Sequence, residues 1–125
     1  MIEILTDVPG NVAGFRAVGE VTKDDFQTTV LPKVDEVVIS TGELNYLMII
    51  DTPLSNWTYG AWVQDALLGI QEITKWNRAA IVTDSEALNQ FTDIFSILVP
   101  GTFRGFLPEQ LPEAVEWVAT GKKAI

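Results

Sequence analysis

One near-continuous apolar run, Leu44 to Ile50, constrains the fold of this chain more than any other stretch. A short apolar run bounded by turn signals is typical of a strand buried on both faces, and such strands lie in the middle of a sheet. The run stops at Asp51, and the chain then crosses a polar loop and enters a predicted helix near Tyr59. Open α/β sheets bind ligands and partners just past the ends of their strands. The sequence therefore predicts a functional site in or near residues 51 to 62.

The segment before this run predicts two strands and a helix. Residues Ile2 to Thr6 and Ala13 to Val21 alternate along the chain, and the turn signal between them predicts an antiparallel pair with the first strand at an edge. Thr22 is a candidate N-cap for a helix that Gly42 closes. Pro32 lies inside the helical pattern, so we expect a kink or a break just before it. The apolar stripe of this helix consists of Phe26, Val30, Val34, Val37 and Val38.

The rest of the chain alternates between helices and strands. Strands are predicted at Arg78 to Thr83 and at Thr102 to Phe106. Helices are predicted from Thr58 to near Trp76, from the cap Asp84-Ser85-Glu86 to Pro100-Gly101, and from the prolines at 108 and 112 to Gly121. The resulting order, ββαβαβαβα, predicts an α/β fold with a mixed, mostly parallel sheet of about five strands and four helices. We expect one domain that spans residues 1–125.

The chain contains no Cys and no His. These absences exclude a disulfide framework, a thiol nucleophile, thiolate metal sites and a Ser-His-Asp triad built within the chain. Neither a dinucleotide fingerprint nor a P-loop is present. We therefore expect no catalytic residue, no metal and no cofactor, and we predict that the chain is not an enzyme.

The charge balance bears on partners and location. A net charge of −9, with eight Lys and Arg residues, opposes binding to nucleic-acid backbones and to anionic membrane surfaces. No apolar run approaches the ~20 residues that span a bilayer, and the first residues do not resemble a signal peptide. The sequence thus predicts a cytoplasmic protein without membrane insertion, whose acidity would steer a basic partner protein toward it.

Six motifs, taken in their order along the chain, carry a family resemblance. They are GFRAVGEVTKDDF (Gly14 to Phe26), Pro32 in the first helix, YGAWVQD (Tyr59 to Asp65), RAAIVTD (Arg78 to Asp84), FRGF (Phe103 to Phe106) and EAVEWV (Glu113 to Val118). Together they resemble the SpoIIAA-like family of small bacterial proteins related to STAS domains, over nearly the whole chain. The resemblance implies a four-helix α/β fold with a mixed sheet, and it implies no settled activity.

The better-known STAS antagonists of anti-sigma factors carry a phosphorylated Ser, in an Asp-Ser-x-Gly pattern, just before the second helix. Gly60 resembles the glycine of that pattern, but Trp57, Thr58 and Tyr59 precede it, so the Asp-Ser pair is absent. The phosphoswitch is therefore not carried over to this chain. Ser55 and Thr58 are the candidate phosphate acceptors near this position, and a phosphate at a helix N-terminus would be electrostatically favourable.

Eight side chains form the candidate binding site. Those that follow the buried strand fit the polar and aromatic rim of a crevice, although turn, cap and core packing roles also explain them. Asp84 and Ser85 follow the next strand, with helix capping as the alternative. Arg104, otherwise an outward strand residue, is the cation best placed to meet a small carboxylate or phosphate. The eight are Asp51, Ser55, Trp57, Thr58, Tyr59, Asp84, Ser85 and Arg104.

Three functions stay open at this point. The first is a non-catalytic STAS-like regulatory or protein-interaction module whose contact face is the 51–62 loop and the helix after it. The second is a carrier of a small apolar or lipid-like ligand, held between helical stripes that an ordinary core also explains: Phe91, Phe95, Leu98, Trp62 and Ile70. The third, an enzyme, requires a deep polar pocket with a carboxylate pair such as Asp51 and Asp84. A homodimer through an apolar patch or a sheet edge also stays open.

Overall fold

The computed structural model describes residues 1–51, 76–84 and 102–121. The strands are β1 (Ile2–Ile4), β2 (Val12–Val18), β3 (Leu44–Asp51), β4 (Trp76–Val82) and β5 (Thr102–Phe106). The helical elements are a first turn α1 (Lys23–Asp25), a π-helical segment (Phe26–Val30), α2 (Leu31–Thr41), a 3-10 turn (Pro108–Gln110) and α3 (Leu111–Thr120). The two helices predicted between β3 and β4 and between β4 and β5 lie outside the described residues.

The five strands form one mixed sheet in the order β1-β2-β3-β4-β5. β1 pairs antiparallel with β2 at one edge, and the other three pairs are parallel. The mixed, mostly parallel sheet and its antiparallel edge strand are therefore as the sequence predicts. β3 occupies the middle of the sheet, where Met48 lies between Phe15 of β2 and Ile81 of β4.

Two layers of side chains cover the two faces of β3. Leu44, Tyr46, Met48 and Ile50 pack with α2 and the π-helical segment on one face, which we call the α2 layer. Leu47 and Ile49 pack with α3 on the other face, which we call the α3 layer. Every residue from Leu44 to Ile50 is buried, and exposure begins at Asp51, as expected for a strand without a solvent face.

The one amide side chain inside this run, that of Asn45, is fully buried and hydrogen-bonded. Its amide nitrogen donates to the backbone oxygen of Asn11 at 3.2 Å, and its amide group lies 2.9 Å from that of Asn77. Since an unpaired buried amide costs about 1–3 kcal/mol, these partners make the polar residue tolerable in the core.

Helical residues run without interruption from Lys23 to Thr41. The Thr22 hydroxyl accepts from the Asp25 backbone N–H, and the Asp25 carboxylate accepts from the Thr22 backbone N–H, which makes a capping box. The helix widens into a π-helical segment directly before Pro32 instead of breaking. The reason is that proline supplies no N–H and its ring crowds the carbonyl four residues earlier, so a wider turn relieves the clash. Gly42 ends the helix in the left-handed conformation.

α3 is held at its C-terminal end by residues from two other elements. The guanidinium of Arg78 donates from Nε to the backbone oxygen of Val118 at 3.0 Å and from Nη2 to that of Ala119 at 3.3 Å. The side chain of Asn11 also donates to the Ala119 oxygen, at 2.8 Å. A cation at this end of a helix meets the negative end of its dipole and satisfies carbonyls that have no partner within the helix. Arg78 thus fixes α3 to the sheet.

Three predicted boundaries are wrong by a few residues. β1 ends at Ile4, although the Leu5 N–H still donates to the Gly14 oxygen at 2.9 Å and Leu5 packs in the α3 layer. β2 ends at Val18, because Gly19 adopts φ +62°, which an extended strand excludes. β4 begins at Trp76, which the sequence placed near the end of a helix; in the structure this residue pairs with Leu44 across an irregularity in the register.

Gly121 and Gly42 are both left-handed glycines, but only Gly121 lies against Arg78. Comparing alanine substitutions at the two positions distinguishes the cost of backbone strain from the cost of displacing Arg78. Its φ is +76°, and a Cβ there would lie 2.9 Å from Nη1 of Arg78, whereas Gly42 has φ +81° and no neighbour within 4 Å. We expect Gly42→Ala to lower the free energy of unfolding by about 1–2 kcal/mol through backbone strain alone. Gly121→Ala is expected to cost about 1 kcal/mol more, because Arg78 must leave a carbonyl partner. Urea denaturation measures both, and equal losses would contradict the proposed anchoring of α3 by Arg78.

Candidate functional site

An exposed ion pair lies at the carboxyl end of the central strands. Nη1 of Arg16 on β2 is 3.7 Å from Oδ2 of Asp51 at the end of β3, and the two side chains are 39% and 62% exposed. The parallel register places Val18 beside Asp51, so Arg16 reaches Asp51 diagonally across the α3 face. A pair this exposed contributes less than about 1 kcal/mol to stability. Its charged groups are therefore accessible to a binding partner.

Asp84 follows the neighbouring strand. Ile49 of β3 pairs with Val82 of β4, and continuing this register by two residues places Asp51 beside Asp84. On its other side β4 stays hydrogen-bonded to β5 past Val82, since the Thr83 N–H donates to the Phe106 oxygen at 3.0 Å. Asp84 is exposed. Asp51 and Asp84 thus follow the carboxyl ends of two neighbouring parallel strands.

Thr83 is a polar residue that our sequence analysis missed as a site candidate. Its side chain is 1% exposed, and alternation along β4 places it on the same face as Ile81, in the α2 layer. Within residues 1–51, 76–84 and 102–121, its hydroxyl has no hydrogen-bond partner. An unpaired buried hydroxyl is costly, and this one lies at the carboxyl end of an inner strand. The signal was a Thr directly after an apolar strand.

A groove opens beside the ion pair. Glu3 of β1, the segment from Ile4 to Asp7, and Arg16 line an open depression of about 390 Å³. α3 covers β3 and β4 on this face of the sheet. Leu5 and Val8 cover β2 at Gly14, and they lie so close that a Cβ at this glycine would be 3.2 Å from Leu5 Cδ1. The C-terminal end of β2, which carries Arg16, is covered neither by α3 nor by Leu5 and Val8. We call this surface, formed by Glu3, Asp7, Arg16 and Asp51, the open corner.

Arg104 does not belong to this corner. It pairs in register with Ala80, at the level of the middle of the sheet, and lies two strands, or about 10 Å, from β3. Its side chain is half-buried in the α3 layer, with the guanidinium carbon 4.9 Å from the ring centre of Phe106 and 6.0 Å from that of Trp117. The structure thus separates Arg104 from Asp51.

Five of the eight predicted site residues lie outside the described residues: Ser55, Trp57, Thr58, Tyr59 and Ser85. The apolar stripes predicted to enclose a lipid-like ligand lie outside them as well. The predicted roles of these side chains stay predictions. Among the residues that the structure describes, no group of three or more acidic, His or Cys side chains is arranged to hold a metal ion. None of the described helices is long and apolar enough to cross a membrane.

The hydroxyl of Thr83, which has no partner among the described residues, generates a stability prediction with an internal control. Thr83→Val removes a buried polar group and keeps its shape, so we expect the free energy of unfolding to rise by about 1 kcal/mol. The same substitution at Thr22 removes the helix cap and is expected to lower it by about 1 kcal/mol. Urea denaturation of both variants measures whether the free energy of unfolding rises or falls in each. A loss of stability in Thr83→Val would show that the hydroxyl has a stabilising partner.

Comparisons with known proteins agree with this architecture. No curated protein matches the chain. The chain is similar to the crystal structure of an uncharacterized protein from the DUF3478 family with a SpoIIAA-like fold, from Shewanella loihica PV-4, at 23% identity and a TM-score of 0.68. That similarity covers 94% of this chain and 93% of the other and shows a shared fold. The SpoIIAA-like family model matches residues 12–119, and the chain therefore belongs to the SpoIIAA-like family.

Proposed function

We propose that this chain is a non-catalytic, STAS-like interaction module that acts in the cytoplasm and binds a partner protein at the carboxyl end of its sheet. The observation that supports this most is the exposed Arg16–Asp51 pair beside the groove of the open corner. Charged groups that do little for stability, held at the edge of a rigid sheet, are available for recognition. The family is one of STAS-related proteins, for which an interaction role is the natural hypothesis.

The charge of the open corner suggests the chemistry of the partner. Glu3 and Asp7 line the groove together with Arg16, Asp51 pairs with Arg16, and the whole chain carries a net charge of −9. Such a surface attracts a basic segment and speeds its association. We therefore propose a partner that presents Lys or Arg side chains to the open corner, with the predicted 51–62 loop completing the contact face.

A non-catalytic role is consistent with the side chains available. Without His or Cys in the chain, general acid–base chemistry would have to rely on carboxylates such as Asp51 and Asp84. The neighbouring carboxylate Asp51 lies against Arg16, an arrangement that serves recognition as readily as it serves chemistry. We accordingly propose binding rather than catalysis as the use of this edge.

Site-specific photo-crosslinking in the native host tests the proposed interface. A benzophenone amino acid at position 6, an exposed residue that lines the groove, is expected to capture one defined protein. The same probe at position 40, an exposed residue of α2, should not capture it. The captured protein is then purified, and its affinity for the unmodified chain is measured by calorimetry.

Matched charge reversals make this test quantitative. Asp51→Lys is expected to weaken the measured affinity at least about tenfold, since about 1.4 kcal/mol of lost binding energy has that effect. Asp35→Lys makes the same charge change on the exposed surface of α2 and is expected to leave the affinity within about twofold. Equal effects of the two reversals, or capture from position 40 alone, would contradict an interface at the open corner.

A second candidate function, binding of a small ligand, is favoured by Thr83 alone. A buried hydroxyl without a described partner at the carboxyl end of β4 is the kind of group that orients a ligand in an α/β fold. Native mass spectrometry of protein purified from its own host tests this. The hypothesis expects an extra mass that is released on denaturation and is lost in Thr83→Val. An apo mass for the wild-type chain would contradict it.

A further inference from the structure

We infer that Arg104 is an anion-binding residue and that the group it binds is a carboxylate. The inference is independent of the proposed interface, because Arg104 lies on the edge strand β5, with β4 and β3 between it and the Arg16 side of the open corner. It comes from comparing the three arginines of the chain, which are Arg16, Arg78 and Arg104. Each guanidinium has five N–H donors and accepts no hydrogen bond. The comparison therefore asks which oxygen acceptors each arginine has.

Two of the three guanidinium groups have oxygen partners. Arg16 lies 3.7 Å from the Asp51 carboxylate, and Arg78 donates to the Val118 and Ala119 carbonyls. Arg104 contacts aromatic rings instead, and among residues 1–51, 76–84 and 102–121 no oxygen accepts from it. Within that part of the chain, Arg104 is the one arginine whose guanidinium has no oxygen partner. No described residue uses the donors of Arg104, and they are the donors that we assign to an external acceptor.

The surroundings of Arg104 prepare it to bind. Its guanidinium carbon lies 4.9 Å from the centre of the Phe106 ring, and Trp117 packs against the same phenylalanine with ring centres 5.8 Å apart. Contact with aromatic faces restricts a long side chain whose ordering would otherwise oppose binding. A ring has no lone pair that competes for the five N–H donors, so an aromatic contact leaves the guanidinium able to bind an oxygen acceptor in bidentate fashion. Half-burial also strengthens a charge-assisted hydrogen bond relative to water.

A carboxylate fits this position better than a phosphate. The exposed carboxylates of Glu113 and Glu116 are on α3, the helix that also carries Trp117, and the chain has a net charge of −9. A phosphate with a charge approaching −2 meets about twice the repulsion that a carboxylate with a charge of −1 meets. A carboxylate also matches the planar donor fork with two oxygens.

Nitrogen-detected or proton-detected NMR of the arginine Nε–H groups in the full chain tests this inference. Sodium acetate is the probe, and sodium chloride at matched ionic strength is the reference. The Arg104 signal is expected to shift in a saturable way with acetate, while those of Arg16 and Arg78, which already have oxygen partners, shift several-fold less. Arg104→Lys keeps the charge but loses the fork, and it identifies the signal. In this variant the acetate-dependent shift of the Trp117 indole should also be lost.

Each alternative result has a defined meaning. Equal shifts of all three arginine signals, or an Arg104 signal that acetate leaves unchanged relative to chloride, would overturn the site. Saturation of Arg104 by inorganic phosphate at lower concentration than by acetate would overturn the assignment to a carboxylate. A full acetate response of the Trp117 indole in Arg104→Lys would assign the binding to another group.

Discussion

The burial of β3 on both faces is the constraint on which the rest of the described structure depends. Seven consecutive residues, Leu44 to Ile50, have no solvent face, so one layer of side chains must cover each side of the strand. The α2 layer includes Phe15, whose ring centre lies 5.8 Å from that of Tyr46. The α3 layer includes Trp117 and Val118 of α3. Because the strand is enclosed until its last residue, Asp51 is the first position at which it reaches solvent.

α3 covers only part of its face of the sheet, and the part that it leaves uncovered is the proposed binding surface. Arg78 and Asn11 fix the C-terminal end of α3 near the start of the parallel strands, and the helix then lies over β3 and β4. The end of β2 stays outside this cover, which leaves the ion pair between Arg16 and Asp51 exposed. The arrangement gives the sheet a rigid base and an accessible edge.

Features set by local chemistry were predictable from the sequence, and features set by register were not. The strand at Leu44, the cap at Thr22 and the irregularity before Pro32 follow from short patterns that act within a few residues. The contact of Arg16 with Asp51 depends on pairing between strands 35 residues apart in sequence. The anchoring role of Arg78 and the aromatic contacts of Arg104 could not be predicted either, because they also depend on how distant segments are placed together. Trp76 was misplaced because an aromatic residue at a boundary fits either a helix or a strand.

Native-state hydrogen exchange of β3 tests the central claim most directly. If the double-sided burial of this strand holds both layers together, the amides of Leu47 and Met48 should exchange only through global unfolding. Their protection free energies should then equal the unfolding free energy from urea denaturation, while amides of the short edge strand β1 exchange through smaller openings. Exchange of β3 amides through an opening well below the global free energy would contradict the claim, because the strand could then separate from one layer while the rest stays folded.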